Sequence, residues 1–337
     1  MTVSTADFEF VRRLAQSVAG FLLEEGKEYL VETRLGPIAK AEGCSSVAEL
    51  IGRLRWQNPP ALVERVVEAL TTNETLFFRD ARPFEHLKRD IFPSLFSRNP
   101  GQPVRVWSAA CSTGQEPYSI AMLLVEHLPL HASLVSIFAT DLSHEVLERA
   151  RAGRFYESEM QRGLSSEQRR RFFEPVGTES RLVPRIREMV EFRQLNLSTP
   201  LQNVPLFDVV FLRNVLIYFD LPGKRSVLNR IKNVMKPGAF LLLGSSETLL
   251  GIDDDFTALR DSGTTSYRLG SAASNPPPQP APMPVPKAAT STKPPQLGNP
   301  AGPRKPKSLP PQVARLKDLQ WPEWKRLDDP AKPPKKP

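Results

Sequence analysis

The chain changes its periodicity twice. Up to about residue 72 the apolar positions recur every three to four residues, in FEFVRRLAQSVAGFLL, YLVETRLGPIAKAEG, SVAELIGRLR and PALVERVVEAL, and this spacing predicts helices. Pro37 and the run Asn58-Pro59-Pro60 punctuate them, and Pro37 is expected to break the second helix. From about Val104 the pattern becomes short β-rich runs, VRVW, LVSIFAT, FDVVFL and AFLLLG, separated by helical stretches such as YSIAMLLVEHL and HEVLERARAG. Strands that alternate with helices predict a parallel α/β sheet. No repeat of 20 to 50 residues is visible, which sets aside a solenoid or propeller.

The second change comes near residue 271. The last 67 residues hold 19 of the 34 prolines, which supply neither helix nor ladder hydrogen bonds, so residues 271–337 are expected to be disordered or polyproline-like. One stretch inside them, Val313 to Leu327, carries Leu316, Leu319, Trp321, Trp324 and Leu327. It reads either as a short motif that docks a partner or as an incidental apolar patch in a linker.

Charge changes the picture less than its total suggests. A net +8 would point to nucleic acid or a membrane surface if it lay on a folded face. Residues 271–337 contain 12 Lys and Arg against 4 Asp and Glu, whereas residues 1–270 contain 33 of each, so the excess belongs to the tail. Nucleic-acid binding is not expected. Cys44 and Cys111 have no CxxC spacing, and His86, His127, His131 and His144 form no ligand cluster, so reduced thiols and no metal are expected. The start MTVSTADFEF lacks a basic segment followed by an apolar one, and no apolar run approaches 18 residues; a cytoplasmic protein without membrane insertion is the expectation.

Candidate chemistry begins where VRVW runs into SAACSTGQEPYSIAMLL, a small-residue loop with Gly114, then Pro117 in the first turn of a helix. This is the nucleotide-cofactor corner of an α/β sheet. Asp141 ends the second strand, 27 residues after Gly114, where a carboxylate can accept both hydroxyls of a ribose. The loop lacks GxGxxG and the GK[ST] end of a P-loop, so a cofactor with a ribose and no phosphates, S-adenosylmethionine, fits better than a dinucleotide. Glu116 would then pair with the ammonium of the methionine moiety; the alternative is that it merely favours the positive helix N-terminus.

TTNETLFFRD (Thr71 to Asp80), WSAACSTGQEPYSIAM (Trp107 to Met122), ATDLS (Ala139 to Ser143) and LRNVLIYFD (Leu212 to Asp220) follow one another in order across about residues 5 to 270. In these motifs the chain resembles the chemotaxis methyltransferases, the CheR family. The resemblance implies an all-α substrate-recognition domain over residues 1–72. A linker, 73–103, would carry the NxTxFFR motif and a leading helix, and a Rossmann-like S-adenosylmethionine-dependent methyltransferase domain would span 104–270. A helix and small antiparallel β subdomain would be inserted at about 155–192. The implied reaction is O-methylation of glutamate side chains on the cytoplasmic helical bundle of chemoreceptors, giving glutamate methyl esters and S-adenosylhomocysteine.

Carried over residue by residue, the resemblance places Asn73, Thr75 and Arg79 at the cofactor, with Glu116 and Asp141 in the roles argued above. Asn196 and Leu197 would flank the adenine, Arg213 and Asn214 would line the pocket, and Tyr218 would sit near the methyl group, so that Arg79 and Tyr218 are the candidate catalytic pair. Each residue has a plainer reading: Asn73 as a helix cap, Arg79 as a surface ion-pair partner, Tyr218 as core. A glutamate carboxylate, with an ordinary pKa of about 4.3, is already a nucleophile near neutral pH, so no general base is needed. The sequence shows no Ser-His-Asp or Cys-His signature in its motif regions.

Two features depart from the family pattern. Arg34 and Lys40 keep basic positions in the second helix, which in the family faces an acidic receptor helix, but Gly36, Pro37 and Ile38 replace a denser arginine run. The insertion looks about three residues shorter than the form that docks a receptor tether, which favours tether-independent recognition. A monomer is expected, recruited to receptor arrays. Two other readings stand beside this one: a carboxyl methyltransferase of a signalling array unrelated to motility, with the tail as its tether, and a sensor that binds S-adenosylmethionine without catalysis.

Overall fold

The computed structural model describes residues 3–261 and 264–270. The expected disorder of residues 271–337 and the docking stretch Val313 to Leu327 lie outside the described residues.

Four helices come first: α1 Thr5–Ala19, α2 Glu28–Ala41, α3 Val47–Gln57 and α4 Pro60–Ala69. Ser4 and Ser46 start α1 and α3 by accepting the backbone N–H of Asp7 and Glu49, while α4 opens on a proline whose missing N–H costs nothing in a first turn. Val11, Leu35, Leu50, Ile51 and Val66, all at 0% exposure, are central to a core belonging to these helices. Pro37 does not break α2, contrary to expectation. Val31, Leu35 and Ala39 are buried on both sides of it, and that packing offsets the lost hydrogen bond.

Residues 70–81 then run without regular structure into α5 Arg82–His86, a π-helical turn at Leu87–Ile91 and α6 Phe92–Arg98. The remaining elements are β1 Val104–Ala109, α7 Gln115–His127, β2 Val135–Asp141, α8 His144–Ala152, β3 Arg154–Phe155, α9 Glu157–Gln161, α10 Ser166–Phe172, β4 Phe173–Val176, β5 Glu179–Leu182, α11 Pro184–Arg187, β6 Val190–Gln194, β7 Phe207–Leu212, α12 Leu221–Lys232, β8 Met235–Leu243, β9 Phe256–Asp261 and β10 Thr264–Leu269. The main sheet has the order β6-β2-β1-β7-β8-β10-β9. Its first five strands pair in parallel, and β10 is antiparallel to both its neighbours. Every residue of β7 is buried, as a central parallel strand covered on both faces requires. One core, around Tyr118, Phe155 and Phe211, covers one face, and a second, around Trp107, Val210 and Leu241, covers the other.

The insertion is the small antiparallel sheet β3-β5-β4 with its short helices. Val190–Gln194, whose first residues fall within the range expected for the insertion, instead pairs with β2 in the main sheet. The chain is therefore a Rossmann-like α/β unit with a mostly parallel sheet behind an all-helical one. Strand order reverses at β1, with β2 on one side and β7 on the other, and this opens a crevice beyond their carboxyl ends.

Candidate active site

The loop leaving β1 is bent. Ala110 (φ 57°) and Ser112 (φ 51°) both hold the left-handed region, and Gly114 (φ 94°) begins α7. A Cβ on Gly114 would press to 3.1 Å on both Ala150 and the Tyr118 ring, so glycine is needed for conformation and for space. Asp141, at the end of β2, accepts the N–H of Ser112 (2.8 Å) and of Ser143 (3.0 Å), which fixes the loop against the neighbouring strand. Burial raises the Asp141 carboxyl above its ordinary pKa, and these N–H groups oppose that rise. The Ser112 hydroxyl donates to the carbonyl of Asn73 at 2.7 Å and ties the same loop to the NxTxFFR motif.

Beyond β7, Arg213 is 1% exposed at its side chain, lies over the Phe84 ring and donates three hydrogen bonds. It reaches Glu116 at 3.0 Å, Asp80 at 2.9 Å and the Arg79 carbonyl at 2.7 Å. The other Glu116 oxygen accepts the Ser108 hydroxyl at 2.8 Å. Glu116, expected to await an ammonium, thus already has both oxygens engaged within the chain; a carboxylate offers about four acceptor positions, so two directions stay open. Asn214 (φ 58°) is held by Glu247, which accepts the N–H of Asn214 (2.7 Å), Val215 (2.9 Å) and Gly244 (2.7 Å). Glu247 was not singled out from the sequence. The only local signal is a carboxylate three residues past a glycine at a strand end, and its partners lie some thirty residues upstream.

The helical unit closes the crevice. Asn196 donates to the Val18 carbonyl (2.7 Å) and accepts the Ser198 N–H (2.9 Å), the Ser198 hydroxyl donates to the Ala19 carbonyl (2.6 Å), and the Leu22 N–H donates to the Tyr218 carbonyl (2.8 Å). The Asn196 amide therefore holds a junction, while its neighbour Leu197 is buried at 8% exposure. Arg34, expected at a receptor-facing position, turns inward and donates to the carbonyls of Leu70 (2.6 Å) and Thr71 (2.8 Å), where it caps α4.

These elements enclose a cavity of about 350 Å³. Asn73, Thr75, Arg79, Glu116, Asp141, Asn196, Leu197, Arg213, Asn214 and Tyr218 all lie on its wall, together with Leu22, Arg34 and Ser112. Arg79 donates to the Glu74 carbonyl at 3.0 Å and remains partly exposed, and Tyr218 is partly buried between the helical core and one face of the sheet. The charged lining is Glu24, Glu74, Glu116 and Asp141 against Lys27, Arg34, Arg79 and Arg213, with Lys27 paired to Glu24, Arg34 held by backbone carbonyls and Arg213 held by Glu116 and Asp80. The amides of Asn73, Asn196 and Asn214, apolar side chains and a glycine-started helix complete the set. That set fits a cationic nucleoside without phosphates, and S-adenosylmethionine has that chemistry. Cys111 is buried, and burial pushes its thiol well above its ordinary pKa, so it is no nucleophile. Among the described residues no group of three or more His, Cys, Asp or Glu is arranged to hold a metal, and no helix is long and apolar enough to cross a membrane.

Comparison with known proteins agrees with this arrangement. Residues 6–71 match the family described as CheR methyltransferase, all-alpha domain, and residues 73–264 match CheR methyltransferase, SAM binding domain. The chemotaxis protein methyltransferase Cher2 of Pseudomonas putida is 43% identical over 276 residues, covering 80% of this chain and 99% of that protein. Chemotaxis protein methyltransferase 1 of Pseudomonas aeruginosa is 44% identical over 273 residues, covering 80% and 99%. The chemotaxis protein methyltransferase of Salmonella typhimurium is 37% identical over 275 residues, covering 80% and 92%. With both of its units matched and relatives above 40% identity over four fifths of its length, the chain belongs to the CheR methyltransferase family.

Proposed function

We propose that this protein methylates glutamate side chains on the cytoplasmic helices of a chemoreceptor, with S-adenosylmethionine as donor. The observation that carries the reading is the meeting of Arg79 and Tyr218 with Asp141 and Glu116 on one cavity wall. The likeness to proteins named chemotaxis protein methyltransferases supports the choice of substrate.

When bound, the cofactor supplies an electrophilic methyl group on a sulfonium. Asp141 is positioned to accept ribose hydroxyls, Glu116 to meet an ammonium, Leu197 and Asn196 to flank the base, and Asn73, Thr75, Arg213 and Asn214 to complete the wall. An incoming glutamate carboxylate is already anionic at neutral pH, so the chain's task is orientation. Charge is neutralised during transfer, and a tight ion pair to the carboxylate would favour the ground state. Arg79 suits the lighter task because the Glu74 carbonyl already takes one of its N–H groups. Tyr218 adds one neutral hydrogen bond near the reacting oxygen.

Incubation with a receptor cytoplasmic fragment, followed by mass mapping, tests the reading. The expected result is a gain of one methylene on glutamate-bearing peptides; modification confined to lysine or to a nucleic acid would contradict it.

A further inference from the structure

Phe77 sits in the middle of the motif that bears Asn73, Thr75 and Arg79, yet it takes no part in the cavity wall. Its ring is 1% exposed and stands edge-on to Phe155 of β3 (centroids 5.0 Å, interplanar 70°) and to Phe173 of β4 (5.8 Å, 90°), two strands of the insertion. The loop between α9 and α10 closes on the same point. A Cβ built on Gly163 (φ +115°) would overlap the Phe77 carbonyl oxygen and stand 2.8 Å from its carbonyl carbon. Beside it, Arg162 pairs with Glu74 at 3.3 Å.

The residues after Phe77 explain why such a hold is needed. Phe78 (φ 49°) and Asp80 (φ 58°), on either side of Arg79, are both left-handed, a conformation that is strained for a non-glycine residue and persists only when its surroundings impose it. Arg213 holds the downstream side through Asp80 and the Arg79 carbonyl. The upstream side is held by the Ser119 hydroxyl, which accepts the Phe78 N–H at 2.9 Å, and by the aromatic socket around Phe77. No insertion residue reaches the cavity wall itself; the insertion touches the loop that does, through the socket around Phe77 and through the Arg162–Glu74 pair.

We propose that the insertion is a clamp that positions the reacting loop, with Phe77 and Gly163 as positioning residues that set Arg79. The inference rests on the methyl-transfer reading for its kinetic arm only, and it gives the insertion a role whether or not a receptor tether docks there.

The test compares Gly163→Ala with Gly177→Ala in the full chain. Gly177, in the β4–β5 turn, is also left-handed (φ +64°), but nothing lies within 4 Å of an added Cβ. Both variants bear the strain of a left-handed alanine, and Gly163→Ala alone pushes on Phe77. Turnover is divided by the cofactor sites titrated calorimetrically, which removes any unfolded fraction. Gly163→Ala is expected to lower kcat about 10- to 100-fold, the scale of a reacting group displaced by about 1 Å, with the KM for the receptor fragment little changed. Gly177→Ala should keep wild-type kcat. Amide exchange over residues 74–80, measured without cofactor, should quicken in Gly163→Ala alone. Phe173→Leu opens the socket without backbone strain and should reproduce both changes; it decides the question if Gly163→Ala does not fold. Equal kcat in the two glycine variants, unchanged exchange, or quickened exchange at unchanged kcat would each overturn the clamp. A wild-type protein that transferred no methyl would instead defeat the proposed reaction, and exchange would still decide whether the socket holds the loop.

Discussion

Arg213 and Glu116 are 97 residues apart in the chain and 3.0 Å apart between Nη1 and Oε2, buried where the strand order reverses. The same guanidinium holds Asp80 and the Arg79 carbonyl, so one side chain joins β7, α7 and the reacting loop. Arg213→Ala would leave a buried carboxylate without its cation. We predict a loss of about 3 kcal/mol in urea unfolding, the scale of a broken buried pair, together with weaker cofactor binding. A loss below about 1 kcal/mol, typical of an exposed pair, would show that the network does not hold the site.

Asp141 sets a pH dependence with two opposite signs. Because burial raises its pKa in the folded protein, the fold holds that proton more tightly than the unfolded chain does. Its contribution to stability is therefore fully present below the unfolded value of about 3.9 and is lost as pH rises through the higher folded value. On the proposed reading ribose hydroxyls donate to the ionised form, so cofactor affinity runs the other way and should rise with pH across the same window. Calorimetric titration of S-adenosylmethionine should show this rise in the wild type and a weaker, flatter profile in Asp141→Asn. Parallel profiles would remove Asp141 from the ribose. Glu68, which burial also raises, adds to the stability trend but is not on the cavity wall, so the affinity profile is the cleaner readout.

Glu247 accepts N–H groups from Gly244, Asn214 and Val215, and an amide has one oxygen where it has two. Glu247→Gln is expected to cost about 2 kcal/mol, the scale of a lost hydrogen bond to a charged group, and to weaken cofactor binding as left-handed Asn214 relaxes. Thermal unfolding with and without cofactor measures both effects. Unfolding and cofactor stabilisation equal to the wild type would show that Asn214 needs no such anchor.

On the proposed reading Arg79 orients the acceptor more than it binds the donor, so Arg79→Ala should leave cofactor affinity within a fewfold and lower turnover about 100-fold. Single-turnover kinetics at saturating cofactor separate the two effects. Near-normal turnover would take Arg79 out of the mechanism.

Much of this architecture was legible in the sequence because periodicity is a local property. The runs VRVW and FDVVFL became β1 and β7, and the 3.6-residue spacing before residue 72 became four helices. Asp141 was legible because a strand end and a loop length place it without knowledge of any distant partner. What stayed hidden was partnership over long separations. Arg34 read as a surface cation, yet its acceptors are the carbonyls of Leu70 and Thr71, 36 and 37 residues on. Glu116 read as open to a ligand because neither Ser108 nor Arg213 can be assigned to it from spacing. Pro37 read as a helix break because the burial of Leu35 and Ala39, which overrides it, is a tertiary fact.

The most direct test of the central claim is transfer of a labelled methyl group from S-adenosylmethionine to receptor cytoplasmic fragments, scored as volatile methanol released by mild alkali. A carboxyl methyl ester predicts label that appears in the receptor fragment and leaves as methanol. Alkali-stable label, or no transfer to any receptor fragment by protein that binds the cofactor, would contradict it.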